Sequence, residues 1–212
     1  MDPNFWLEIW EKNETPFHQF DYNRLLVKYW SSLNLEKGTE IFIPFCGKSK
    51  DMLWLKNQGY KILGNELSEL ATKQFFKENN LDFETDFDKN FSINKSDQIK
   101  IMIGDYFSLT PDHTSQVRAV FDRASLIALP SNLRKKYANQ MKNLLVKDCI
   151  ILLITLEYEK ETVTPPPFDV RDKEIYELYG SWNKITKLET LNANIKEKDG
   201  FETVYRIEVK NP

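Results

Sequence analysis

Apolar residues fall into short blocks through the middle of the chain, and stretches with helical spacing separate one block from the next. Residues 40–45, Glu40-Ile41-Phe42-Ile43-Pro44-Phe45, read as a buried strand. A helix is predicted over 49–57, with Met52, Leu53 and Leu55 apolar, then a strand over 60–64 and a helix over 67–78. Further strands are predicted over 99–103 and 117–121. A helix over 133–145 carries Tyr137, Met141, Leu144 and Leu145 on one face. The most apolar run, 149–154, reads as a strand covered on both faces, and 185–191 with 201–209 as a final strand pair. Strands alternating with helices argue an α/β fold, a mostly parallel, doubly wound sheet. Pro165, Pro166 and Pro167 cannot continue a strand, so they mark a stiff loop.

Ahead of this pattern lies an aromatic stretch: Phe5, Trp6, Trp10, Phe17, Phe20, Tyr22, Tyr29 and Trp30. It reads as a helix, a loop around Thr15-Pro16, and a second helix with Asp21 as its N-cap. So many aromatic side chains require this arm, residues 1–35, to pack on a core, a ligand or both.

The 212 residues suit one domain, spanning 1–212. A net charge of −3 argues against a general nucleic-acid binder, which would carry a basic field. No run approaches the roughly 20 apolar residues of a membrane span. The opening Met1-Asp2-Pro3-Asn4-Phe5-Trp6 has no basic stretch of the signal-peptide kind, so the expected location is the cytoplasm. The two cysteines, Cys46 and Cys149, do not make a disulfide framework, and His18 and His113 have no partners at metal-ligand spacing; no metal is expected.

Four loops at strand ends could carry chemistry. Pro44-Phe45-Cys46-Gly47-Lys48-Ser49 follows the first strand, where an open α/β sheet holds a nucleotide-like ligand. Gly-Lys-Ser invites a phosphate-loop reading, but the glycine that the Walker pattern needs five positions earlier is Phe42. The single glycine also disfavours a dinucleotide dehydrogenase. Glu66 lies 19 residues beyond Gly47, the place of an acid that accepts hydrogen bonds from ribose hydroxyls; the plain alternative is a helix-terminal charge. After the third strand, Asp105 can meet an adenine amino group and Tyr106 can pack on the ring. After the fourth come Asp122 and Arg123, either a surface ion pair or an arginine that steadies an anionic sulfur or oxygen. Cys46 reads as a small buried apolar residue. These residues support an adenosyl-binding α/β enzyme.

The same residues resemble the thiopurine S-methyltransferase family, especially its bacterial members. The resemblance runs through Phe5-Trp6, Trp10, Phe17-His18-Gln19, the loop from Pro44 to Met52, Gly64-Asn65-Glu66-Leu67-Ser68-Glu69, Asp122-Arg123-Ala124, Tyr137-Ala138 and Pro166-Pro167-Phe168. It implies a seven-stranded Rossmann-like class I methyltransferase fold with an N-terminal helical arm. It implies S-adenosyl-L-methionine as cofactor, held by Trp10, the backbone at Phe45, Glu66, and Asp105 with Tyr106 at the adenine. Arg123 would lie near cofactor and acceptor as the catalytic arginine, and Phe17 would line the acceptor pocket. The acceptor would be a thiopurine or similar small thiol, and the enzyme a monomer with no nucleic-acid or membrane partner. A metalloid, halide or thiocyanate acceptor, or a non-catalytic adenosyl-binding module, are the alternatives. Phe45 stands where the family usually has Leu, Asn65 where it has Val, and Ala124-Ser125 where it has Gly-Ala. The stretch 194–198 lacks an arginine that some relatives place near the acceptor.

Overall fold

The computed structural model describes residues 3–159 and 162–212; Met1 and Asp2, the first residues of the expected arm, lie outside them. The chain separates into two compact units, residues 1–110 and 111–212. In the first, helix α1 (Pro3–Glu11) and the short helix α2 (Arg24–Tyr29) precede the sheet. The N-cap of α2 is Asn23 rather than Asp21: the Asn23 side chain accepts from the amides of Leu25 and Leu26. Asp21 instead accepts its neighbour's amide, at Tyr22.

The sheet of the first unit is built from β1 (Glu40–Pro44), β2 (Lys61–Glu66), β3 (Glu84–Asp88), β4 (Phe91–Ser96) and β5 (Ile99–Ile103), in the order β3-β4-β5-β2-β1. β1, β2 and β5 run parallel, with Ile43 opposite Gly64 and Gly64 opposite Ile101. Helices α3 (Asp51–Asn57) and α4 (Glu69–Glu78) make the crossovers. Ser68 caps α4, its hydroxyl accepting the Ala71 amide at 3.1 Å. Ile41, Phe42, Met52, Leu55, Phe75, Phe76, Ile101 and Met102 are wholly buried and form the core.

The second unit contains β6 (Val117–Arg123), α5 (Ser131–Leu144), β7 (Ile150–Tyr158), α6 (Asp172–Tyr179), β8 (Asn183–Ile195) and β9 (Lys198–Val209). Its strand order is β6-β7-β9-β8. β6 and β7 are parallel; β7, β9 and β8 are antiparallel to one another in turn.

The α/β class is as expected, but the described residues hold nine strands rather than seven, and the pairing is mixed rather than mostly parallel. The two additional strands are β3 and β4. The β3 sequence, Glu-Thr-Asp-Phe-Asp, lies exposed at the sheet edge, so it carries charge where a buried strand would carry β-branched residues. Helix α6 was also hidden from the hydrophobic pattern, because only Ile175 and Tyr179 of its eight residues are buried.

Candidate functional site

The loop between β1 and α3 departs from ordinary backbone geometry. Phe45 and Gly47 have φ of +48° and +51°. A non-glycine residue in the left-handed region carries strain of order 1–2 kcal/mol, which persists only where the surroundings impose it. The Cys46 amide donates to the Asn65 carbonyl at 3.0 Å and the Ser49 amide to the Cys46 carbonyl at 3.1 Å, folding the loop back on itself. A Cβ at Gly64 would lie 2.8 Å from Cys46 Sγ, so the strand must be bare there for the loop to seat. Burial and the nearby Glu66 charge push the Cys46 thiol well up, which keeps it a protonated packing group and no nucleophile. Lys48 Nζ is 2.7 Å from Glu78 Oε1 on α4. Its charge is thus directed to that helix, unlike the phosphate-reaching lysine of a Walker loop.

Glu66, the last residue of β2, is 6% exposed. Its Oε2 accepts the Gly47 amide and its Oε1 the Ser68 amide, both at 2.8 Å. Burial raises its pKa, and these backbone amides act in the opposite direction. The carboxylate therefore joins the cofactor-type loop to the start of α4, so the structural role and the proposed binding role share one residue. Each oxygen retains a second lone pair, the requirement for a bidentate acceptor of two neighbouring hydroxyls.

Trp10, on α1, is 4% exposed. A Cβ at Gly47 would meet Trp10 Cζ2 at 2.9 Å, so glycine lets the indole lie on the loop backbone. Phe17 meets Trp10 edge-on at 5.6 Å and Trp6 at 5.9 Å, and Phe5 meets Trp6 at 5.2 Å. Tyr106 is buried, its ring stacked over Phe42 at 6.4 Å and met edge-on by Phe45 and Phe107, each at 5.4 Å. Asp105 is exposed, and its Oδ1 accepts the Phe107 amide at 3.0 Å, holding the short turn that follows β5. The first unit thus brings Trp10, Phe17, Gly47 and Glu66 together, and Phe45 with Tyr106.

Arg123 belongs to the second unit, where it ends β6 opposite Ile154 of β7. Neighbouring strand residues face opposite ways. Asp122 is fully buried and accepts the Tyr137 hydroxyl of α5 at 2.7 Å, so the surface ion pair with Arg123 is not its arrangement. Burial pushes the Asp122 carboxyl up to about 6, against the lowering effect of Tyr137. Ala124 follows with φ +65°, a strained conformation for a residue with a side chain. Among the described residues, no group of three or more His, Cys, Asp or Glu is placed to hold a metal.

Sequence reasoning missed Asp51 and Asn23. Asp51 Oδ1 accepts the Asn23 amide at 2.7 Å and Oδ2 the Ser49 hydroxyl at 2.9 Å. The available signal was an acid in the first turn of a helix, too common to single out.

This α/β architecture, with its strained loop after the first strand and an acid ending the second, defines a class I methyltransferase fold. Solved structures agree: a Burkholderia thailandensis 1,6-didemethyltoxoflavin-N1-methyltransferase matches with a TM-score of 0.70 at 10% identity, over 98% of this chain and 87% of that one. A Synechocystis magnesium protoporphyrin IX methyltransferase matches at 0.67 and 11%, over 99% and 100%. The family model for thiopurine S-methyltransferase matches residues 1–210, and the chain belongs to that family. It is 41% identical to a thiopurine S-methyltransferase of Methylococcus capsulatus, over 91% of this chain and 87% of the relative. It is 40% identical to a probable thiopurine S-methyltransferase of Yarrowia lipolytica, over 98% of both.

Proposed function

We propose that the chain transfers a methyl group from S-adenosyl-L-methionine to the sulfur of a thiopurine or similar small thiol. The observation that carries this reading is the Glu66 carboxylate, pinned between the Gly47 and Ser68 amides with lone pairs left for a ribose diol. Glu66 binds the ribose hydroxyls, the Phe45 backbone and Trp10 hold the cofactor above the loop, and Asp105 with Tyr106 borders the adenine. When bound, S-adenosylmethionine supplies a methyl carbon already activated by its sulfonium. The protein's own work is then alignment and exclusion of water, which calls for no strong base. Phe17 lines the acceptor pocket, and Arg123 favours the anionic form of the acceptor.

A single family model over 1–210 supports one methyltransferase domain. A net charge of −3 favours a small-molecule acceptor over a nucleic acid, and none of the described helices is long and apolar enough to cross a membrane.

Calorimetry with S-adenosylmethionine, S-adenosylhomocysteine, ATP and NAD tests the cofactor. The first two should bind tightly, and ATP binding at comparable affinity would sink the assignment. Turnover with labelled cofactor against thiols, thiopurines, halides and selenium or tellurium oxyanions tests the acceptor. Preference for a metalloid or halide would move the reading to that chemistry, and binding without any turnover would leave an adenosyl-binding module.

A further inference from the structure

The first part of the aromatic arm, residues 3–23, is fastened at two points, one on the loop and one at the start of α3. At its helix, Trp10 lies against Gly47, and at its exit the Asn23 amide donates to Asp51 at 2.7 Å. Between those points the described chain contains no strand and no further helix, and α1 has only nine residues. A helix that short is marginal by itself, so its position depends on what fastens it. The second contact is well built for that purpose. Asp51 is 2% exposed and Asn23 2% exposed, so the bond lies away from competing water. It is charge-assisted, and the Ser49 hydroxyl at 2.9 Å fixes the other carboxylate oxygen. Ser49 in turn accepts the Asp51 amide at 3.2 Å, which locks the carboxylate's own residue to the loop. On the arm side, Asn23 caps α2 through its side-chain oxygen while its amide nitrogen donates to Gln19 at 3.2 Å. One carboxylate thus joins loop 45–49 to the chain leaving the arm.

We propose that Asp51 is a positioning residue for the cofactor pocket: its carboxylate tethers the arm's exit to the loop, so that Trp10 and Phe17 cover Gly47 and Glu66 while the tether holds. This rests on the cofactor reading above, but it concerns the arm and has its own readout. Ordering the arm costs conformational entropy, and without the tether that cost falls on cofactor binding.

The test is hydrogen exchange of segment 3–22 together with calorimetric binding of S-adenosylhomocysteine, in the parent, Asp51→Ala, Asp51→Asn and Ser49→Ala. In Asp51→Ala the arm should exchange at least about tenfold faster while β1 and β2 keep their protection, and the dissociation constant should rise about tenfold. The KM for S-adenosylmethionine should rise with it, with kcat at saturation within about twofold of the parent. Asp51→Asn keeps an oxygen for the Asn23 amide and should recover most of the arm's protection. Ser49→Ala should shift both readouts the same way by about threefold, and it decides the matter if Asp51→Ala does not fold. Parent-like arm exchange and affinity in a folded Asp51→Ala, or in Ser49→Ala should the former unfold, would overturn the tether. A parent that binds no S-adenosylhomocysteine overturns the cofactor reading instead, while the arm's exchange still tests the tether.

Discussion

Glu66 holds two backbone amides at once, and the proposed ribose contact would use its remaining lone pairs. Its two oxygens already hold the Gly47 and Ser68 amides, so replacing either oxygen sets a donor against a donor. Glu66→Gln should weaken cofactor binding by about 1.5–3 kcal/mol, the worth of a hydrogen bond to a charged group. Calorimetry reads the loss, and a melting curve without cofactor should also fall, because the loop loses its clamp. Unchanged affinity in the folded variant would reduce Glu66 to its structural part. Arg123 belongs to a different argument. If it favours an anionic acceptor, Arg123→Lys keeps the charge but loses the planar fork, and Arg123→Ala loses both. The kcat/KM for the acceptor should fall roughly 10–100-fold in the alanine variant and less in the lysine one, where about 1.4 kcal/mol is a factor of ten. Acceptor kinetics matching the parent in a folded Arg123→Ala would remove it from the mechanism.

Helices α5 and α6 of the second unit are joined by a forked contact. Arg134 Nε lies 2.6 Å from Glu174 Oε1 and its Nη2 lies 2.9 Å from Oε2, and its Nη1 donates to the Leu129 carbonyl at 3.2 Å. Arg134 is 5% exposed, so its charge relies on these partners rather than on water. Glu174→Ala leaves a buried guanidinium poorly compensated and should destabilise the fold by about 2–4 kcal/mol, measured by urea unfolding. A change below about 0.5 kcal/mol would place the pair among surface ion pairs. The same contact explains why α6 escaped the hydrophobic pattern: polar groups on this helix, Glu174 among them, make part of its attachment. Strand β7 is the reverse case. Ile150–Leu153 is an uninterrupted apolar run and was legible at once, since a strand buried on both faces leaves no position for a polar residue.

Stability of the folded chain as a function of pH should carry the mark of Asp122. Its folded-state pKa of about 6 stands above the ordinary 3.8, so the native protein holds this proton more tightly than the unfolded chain. Between those values the unfolded chain has released a proton that the native one retains. Stability therefore declines as pH rises from about 4 to about 6 and stays lower above that. Asp122→Asn removes this titration and still offers Tyr137 an acceptor. Measured against the parent, the variant should gain up to about 3 kcal/mol between pH 4 and pH 7. A pH-independent difference between the two proteins in urea titrations would show that Asp122 does not titrate in this window.

Seven of the strands, the turn at 45–49 and the acid that ends β2 were legible in the sequence because each follows from local rules. Buried strands must be apolar, and a tight strand-to-helix turn packed against a neighbouring ring needs glycine. Strand β3 was not legible, since an exposed edge imposes no hydrophobic period; β4 buries Phe91 and Ile93, but Ser92, Asn94, Lys95 and Ser96 leave too little apolar signal. Asn23 rather than Asp21 caps α2 because its side-chain oxygen reaches the Leu25 and Leu26 amides, while its backbone amide is held by Asp51, 28 residues away. Asp122 looked like half of a surface pair, and only the packing of α5 on β6 turned it inward to Tyr137. What tertiary structure decided is therefore the partner of each polar group. Chain-local patterns report which residues leave water, and a buried carboxylate is satisfied by whichever donor the fold carries to it.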